Sequence, residues 1–308
     1  MMNGRDEKLL MWEAATLYYE KKLTQQEIAE LMALSRQTVS RLLNDAVKEN
    51  IVEIKIHDPQ KNCKELEFLL CRQFGITSAV VCAVSGKHDT LRQLMTVKAA
   101  SEYITPIIKQ GSLNIAVSWG RTIHALIGQM METHTSDNLV FPLFGATDVE
   151  DPCFSSNEIA RALADKTHAG VQYAWFPYVT ESAQDHLLLK TTGYYKKIQT
   201  LWEQIDLALV GIGNADIVSM FGKTIGCTEN TGGIAGDIAT HFFDKDGNFL
   251  ERHQHTLCAS VSDIRNAGQT IGIACGSEKT DAIIGALKSG LLDVLVTDEH
   301  TAREVLKV

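Results

Sequence analysis

The feature that most constrains the fold is an alternation that begins near residue 78 and runs to the end of the chain. Short apolar runs, SAVVCAV (78–84), SLNIAVSWG (112–120), LVFPLFG (139–145), IDLALVGIG (205–213), TIGIACG (270–276) and LDVLVTD (292–298), are separated by stretches with helical periodicity such as LRQLMTVKAASEYITPII and NEIARALADKT. Apolar strands that alternate with amphipathic helices predict a largely parallel sheet covered by helices on both faces, a doubly wound α/β domain. The chain has 308 residues, enough for one large domain or two unequal ones.

The first sixty residues obey a different pattern. Residues 6–22, DEKLLMWEAATLYYEKK, predict a helix with Leu9, Leu10, Ala14, Leu17 and Tyr18 inward. Thr24 followed by Glu27 is a capping-box signature, so a second helix starts there with Ile28, Ala29 and Leu31 buried. Met32-Ala33-Leu34 makes a tight turn, and Ser35 caps a third helix whose inner stripe is Val39, Leu42, Leu43 and Val47. Residues 51–56, IVEIKI, alternate as a strand should and would form a wing. Helix, tight turn, helix is the arrangement that sets a recognition helix in the DNA major groove. On the polar side of the third helix stand Ser35, Arg36, Gln37, Thr38, Ser40 and Arg41, side chains able to bond base edges or phosphates. Thr24 and Gln25 open the preceding helix and are candidate phosphate contacts. A small helical bundle that binds another protein would carry the same apolar stripe, but has no need of the two arginines. Residues 57–62, HDPQKN, mark the boundary, giving domains 1–57 and 58–308.

Charge agrees once it is divided. The net charge is −9, but residues 1–61 carry −1 and the remainder −8. A DNA-reading face needs local positive charge only. The seven cysteines (63, 71, 82, 153, 227, 258 and 275) form no CxxC pair, and His253 and His255 are the only close histidine pair, so neither a disulfide framework nor a metal site is expected, and no cofactor. No run reaches the roughly 20 apolar residues of a membrane span. The opening MMNGRDEKLLMW lacks a secretion pattern, so the cytoplasm is the expected location. There is no internal repeat or low-complexity tract.

TQQEIAELMALSRQTVSRLLNDAVKENIVEIKI resembles the N-terminal segment of SorC-family sugar-responsive regulators. SWGRT, FPLFG, VGIG, AGDIATHFFDKDG and GIACGSEKTDAIIGALKSGLLDVLVTDEHTA follow in the family's order over nearly the whole chain. The resemblance implies an effector domain similar to the glucosamine-6-phosphate deaminase and ribose-5-phosphate isomerase fold. It also implies a small sugar, polyol or sugar-phosphate effector, and a homodimer or homotetramer on double-stranded operator DNA that controls a carbohydrate or polyol catabolic operon.

The residues themselves suit that role. Ser118, Gly120, Arg121 and Thr122 lie where an apolar strand meets a helix, and glycine with free helix N-terminal amides favours an anion; a plain strand–helix turn is the alternative. Gly276, Glu278 and Lys279 stand at a second such junction, and the resemblance carries Glu278 and Lys279 over as ligand contacts. Asp237 of AGDI accepts sugar hydroxyls or caps the next helix or turn; Asn157 touches ligand or caps its own helix; Gly213 borders the pocket. Trp119, Phe144 and Trp175 shape the pocket or belong to the core. Phe144 stands where some phosphosugar-binding relatives carry a basic residue, which points to a monophosphorylated or unphosphorylated effector. The rival reading is a sugar-phosphate isomerase or deaminase with a DNA-binding appendage, in which Asp237 or Glu278 would be the base. Nothing marks a committed acid–base pair.

Overall fold

In a computed structural model the chain forms two compact units, residues 1–60 and 61–308. The described residues are 4–53, 63–84, 88–134, 137–216, 233–250 and 255–307. The wing expected at 51–56 lies outside them beyond Glu53, as do residues 57–62, Cys227 and His253.

In the first unit α1 (Gly4–Ala15) continues as a single π-helical stretch, Thr16–Glu20, and is followed by α2 (Gln25–Leu31) and α3 (Arg36–Lys48). Both signals for helix starts are realised. The Thr24 hydroxyl oxygen accepts the Glu27 amide while the Glu27 carboxylate accepts the Thr24 amide, a closed capping box, and Ser35 Oγ accepts the Thr38 amide at 3.1 Å. Met11, Ala14, Ile28, Ala29, Val39, Leu42, Leu43 and Ala46 form the core. Three expected core residues are instead exposed: Leu9, Leu31 and Val47. Helical geometry explains the last two. Val39, Leu42, Leu43 and Ala46 follow the i, i+3, i+4, i+7 stripe and Val47 falls beside it, while Leu31 sits on the flank of Ile28 away from Ala29. Leu9 is exposed while Met11, Ala14 and Ala15 are the residues of α1 that pack inward.

The second unit is a sheet between two helical layers. Its strands are β1 (Ser78–Cys82), β2 (Asn114–Val117), β3 (Leu139–Pro142), β4 (Gly170–Val171), β5 (Leu207–Asn214), β6 (Gly236–Ile238), β7 (His241–Phe243), β8 (Gln269–Ile273) and β9 (Val294–Asp298). The order β1-β9-β8-β5-β2-β3-β4 is parallel throughout, and the β6–β7 hairpin adds antiparallel to the end of β5. One face packs on α5 (Asp89–Ile108), α6 (Arg121–Gln129) and α7 (Ser156–Thr167) through Val97, Ile104, Ile123, Leu126 and Leu163. The other carries α4 (Lys64–Phe74), α9 (Gly193–Trp202), α11 (Thr280–Lys288) and α12 (Glu299–Val305), with Leu70, Trp202, Ile283 and Val305 inward. Two further helices, α8 (Ala183–Thr191) and α10 (Val261–Arg265), lie in the connections. β2 shows why the strands read as continuous apolar runs: Ile115 and Val117 enter one core and Ala116 the other.

From β2 the chain steps outward to β3 and β4, then returns to β5 on the other side and continues to β8 and β9. The strand order therefore reverses between β2 and β5. In open α/β sheets that reversal leaves a crevice beyond the carboxyl ends of the strands, where ligands bind.

Candidate functional site

The crevice is present. A cavity of about 400 Å³ lies beyond the ends of β2, β5 and β8, bounded by the first turns of α5 and α6 and by β6. Ser118, Gly120, Arg121, Thr122, Gly213, Asp237, Gly276, Glu278 and Lys279, singled out from the sequence, all line it. Asn157 does not. It is the second residue of α7, outside the cavity lining and not the N-cap, and its amide brackets the backbone of Ala174, donating to the carbonyl at 3.1 Å and accepting the N–H at 2.9 Å. That bracket fixes the connection after β4, and nothing in the residue type distinguishes it from a ligand contact.

At the end of β2 the chain turns into α6 through Gly120, whose φ of 111° is a conformation that L side chains rarely adopt. The Ser118 hydroxyl accepts the Gly211 amide at 3.1 Å and joins this turn to β5. Gly120 N–H is itself engaged, donating to Cys153 O at 2.6 Å, so an anion here meets the amides that follow it rather than that one. No side chain caps α6, and Arg121 and Thr122 stand in its first turn. The short turn Pro152–Phe154 is drawn in by the Gly120 bond and brings Phe154 onto the wall beside Trp119, ring centres 5.5 Å apart and edge to face. Phe144 is buried behind Trp119 and is not part of the wall, while Trp175 is exposed elsewhere. Of the three aromatics only Trp119 faces the cavity.

Across from α6, Gly276, also at positive φ (105°), opens a three-ten turn, Ser277–Lys279. The turn returns Lys279 to the end of β5, where its Nζ donates to Ile212 O at 2.9 Å. Burial holds the Lys279 ammonium below the usual lysine range, against the opposing pull of Cys275, Asp237 and Glu278. Asp237 sits on β6, paired with Gly213 of β5. Its Oδ2 accepts the Thr240 amide at 3.1 Å and so holds the β6–β7 turn. Its Oδ1 is buried and has no hydrogen-bond partner. Burial pushes the carboxyl up to about 6, although the Thr240 bond and Lys279 pull the other way. A buried carboxylate oxygen left unsatisfied costs about 1–3 kcal/mol, which a hydroxyl donor brought by a ligand would relieve. Gly236 makes this approach possible: a Cβ there would lie 2.7 Å from Ala282 Cβ and overlap Gly213 O.

Sequence reasoning missed the wall supplied by α5. Asp89, Thr90, Arg92 and Gln93 line the cavity, and Arg92 is nearly buried while bonded to Asp89 at 3.0 Å. The available signal was positional, because the first turn of a helix that follows a parallel strand faces the carboxyl-end crevice. The complete lining holds Arg92, Arg121 and Lys279 against Asp89, Asp216, Asp237 and Glu278. Hydroxyl-rich molecules with a single anionic group match such a mixed set.

On the first unit, Arg36, Gln37 and Arg41 are exposed and Ser40 half-buried; Gln37 and Arg41 lie on the side of α3 opposite Val39, Leu42 and Leu43, and Arg36 stands at its first turn. Ser35 and Thr38 are bonded to each other at 2.8 Å as the cap. The Thr24 hydroxyl donates to Glu27, which places a carboxylate beside the expected phosphate contact. A concave surface next to Arg36 is lined by Tyr18, Tyr19, Lys22, Thr24 and Gln25, adding Lys22 and the two tyrosines to the polar groups expected. Among the described residues no helix is long and apolar enough to cross a membrane, and no group of three potential ligands is placed to hold a metal.

Comparison with known proteins agrees with this layout. Residues 58–307 match the family model described as "Putative sugar-binding domain", and residues 8–61 match a Crp-like helix-turn-helix domain. The chain is 28% identical to the sorbitol operon regulator of Klebsiella pneumoniae, over 99% of this chain and 100% of that protein. It is 27% identical to the deoxyribonucleoside regulator of Bacillus subtilis (strain 168), over 98% of each. The crystal structure of the full-length sorbitol operon regulator SorC from Klebsiella pneumoniae superposes with a TM-score of 0.76 at 28% identity, covering 96% of this chain and 98% of that one. These relatives regulate transcription and are not enzymes, and the isomerase or deaminase reading falls with them. An N-terminal helix-turn-helix joined to a large α/β domain with a parallel sheet is thus the architecture of the SorC-type sugar-binding transcriptional regulators, and the chain belongs to that family.

Proposed function

We propose that the protein regulates an operon for carbohydrate or polyol catabolism, and that a small sugar or polyol carrying at most one phosphate is its effector. The single observation that carries the effector assignment is the buried, unpartnered Oδ1 of Asp237 in a cavity that also receives Lys279 and the uncapped start of α6. Asp237 and Glu278 accept effector hydroxyls. Lys279, Arg121, Thr122 and the first amides of α6 take the anionic group, with Ser118, Gly120, Gly213 and Gly276 shaping the walls. With three cations set against four carboxylates, the lining favours one phosphate over two.

DNA is read by Arg36, Gln37, Ser40 and Arg41, with Ser35, Thr38, Thr24 and Gln25 on the phosphate backbone. The functional division is 1–57 for DNA and 58–308 for effector and assembly. A homodimer or homotetramer in the cytoplasm presents paired recognition helices to a double-stranded operator. Effector binding changes their spacing, which requires that the effector bind the two states with different affinity.

The test is thermal shift with a panel of sugars, polyols and their phosphates, followed by operator binding with and without the hit. A ligand specific to the folded state raises the melting temperature by mass action. A hit that vanishes in Lys279→Ala supports the assignment. No shift from any member at millimolar concentration refutes the effector reading and leaves DNA binding standing.

A further inference from the structure

One buried carboxylate that does not itself line the cavity sets two of its walls. Asp298 ends β9, and β9 lies between β1 and β8. The segments leaving β1 and β8 therefore pass on either side of it, α5 with Arg92 on one and Gly276–Lys279 on the other. Asp298 is 1% exposed. Its Oδ1 accepts the amides of His300 at 3.0 Å and Thr301 at 3.1 Å, and lies 4.0 Å from Arg92 Nε. Its Oδ2 accepts the Thr301 hydroxyl. Threonine has one hydroxyl proton. With that proton committed to Asp298, the lone pairs of Thr301 Oγ1 are left to accept Gly276 N–H, at 2.8 Å. Gly276 begins the turn in which Lys279 N–H donates to Gly276 O at 3.1 Å and Lys279 Nζ reaches Ile212 O.

Capping α12 accounts for the two amide bonds to Oδ1. It accounts neither for a bond from Thr301 to a glycine on a different element nor for the approach of Arg92. We propose that Asp298 and Thr301 are positioning residues of the effector site, which hold the Gly276–Lys279 turn and Arg92 in the binding geometry. The inference rests on the effector reading of the cavity. It adds a prediction that reading does not make: a hydroxyl outside the cavity governs affinity.

The test compares full-length wild type, Thr301→Val and Thr301→Ser by calorimetry with D-glucitol 6-phosphate and D-fructose 6-phosphate. Valine keeps the shape and removes both the donor and the acceptor, leaving Gly276 N–H unsatisfied. Thr301→Val is expected to raise Kd by about tenfold or more. Its unliganded melting temperature should fall with the loss of two buried hydrogen bonds while the variant stays folded at the temperature of the titration. Thr301→Ser restores Kd to within about threefold. Affinity in Thr301→Val equal to wild type overturns the proposal, as does a serine variant no better than the valine. If wild type binds neither compound, the comparison is made with the hit of the thermal-shift panel; a wild type that binds no member of that panel overturns the effector reading and this inference with it. If Thr301→Val does not fold, hydrogen exchange at the Gly276 amide in wild type decides: protection that rises on binding supports the relay, and an unprotected amide overturns it.

Discussion

Asp237→Asn isolates the effect of burying a carboxylate at the site. In the folded protein the Asp237 carboxyl is raised to about 6 from an ordinary 3.8. The native state therefore binds its proton more tightly than the unfolded chain, so the contribution of Asp237 to stability is fully present below pH 3.8 and is lost as pH climbs through 6. The full loss, reached above pH 7, is about 3 kcal/mol at 1.36 kcal/mol per pH unit. Asparagine still accepts the Thr240 amide but carries no titrating charge. Its amide leaves a donor where Oδ1 stood, which shifts the absolute stability by a constant, so the informative quantity is the difference between variant and wild type as pH changes. Urea denaturation of both proteins at pH 7.5 and pH 5 should show that difference moving by about 1.4 kcal/mol in favour of wild type at the lower pH. In thermal melts at pH 7.5, each kcal/mol is worth roughly 2–4 °C for a domain of this size. Effector affinity should fall at least tenfold in the same variant. A difference that stays constant between pH 7.5 and pH 5 would refute the argument, because it would mean that Asp237 titrates alike in the folded and unfolded chain.

Arg36→Ala and Arg41→Ala should each weaken operator binding in electrophoretic mobility shift. A change confined to the salt slope, by about one unit, marks a phosphate contact, and relaxed sequence preference marks a base contact; affinity within twofold of wild type in both would remove α3 from the interface. Thr24→Ala opens the capping box and should cost the first unit about 1 kcal/mol, read by thermal melting with effector binding unchanged. Gly236→Ala drives a Cβ into Ala282 and Gly213 O, so about 1–3 kcal/mol of stability and a measurable part of effector affinity should be lost together.

The sequence made the scaffold legible because its signals are local. Capping chemistry at Thr24 and Ser35 and the left-handed cap at Gly75 that ends α4 depend on residues within one helical turn. The apolar runs of the parallel strands likewise need no tertiary information. Misassignments arose where neighbouring stripes compete: Val47 is the more apolar candidate, yet Ala46 is buried, since a residue's place around the helix decides burial before its size does. The cavity was half legible. Ser118 to Thr122 and Gly276 to Lys279 could be found because each follows an apolar strand, with glycine at the bend. Arg92 could not be singled out, because its neighbours LRQL read as an ordinary helix start, and only the place of β1 at the edge of the sheet turns that start towards the crevice. Asn157 shows the converse, a residue at a helix start whose amide is spent on Ala174.

Helix starts separate the scaffold from the site on physical grounds. Away from the cavity, α2, α3, α8, α9 and α10 each begin with a Ser or Thr side chain bonded to an amide of the first turn. At the cavity α5 starts from His88, α6 from Gly120 and α11 from Lys279, and none has a side-chain cap. The starts of α4 and α7 also lack one, so absence alone does not define a site. What distinguishes the cavity is that uncapped amides, a lysine held below its usual range and a buried carboxylate with an idle oxygen converge on one space. Each of these lowers the stability of the empty protein, since an Ncap Ser, Thr or Asp is worth about 0.5–2 kcal/mol and an unsatisfied buried oxygen about 1–3 kcal/mol. A molecule that brings an anion to α6 and a hydroxyl to Asp237 relieves several of them at once. The stability forgone in the empty state is then recovered on binding, which makes the effector-bound arrangement of these walls different in free energy from the empty one. Such binding shifts a two-state equilibrium only where one of the two states brings these groups together and the other does not, because the shift equals the difference in affinity between them.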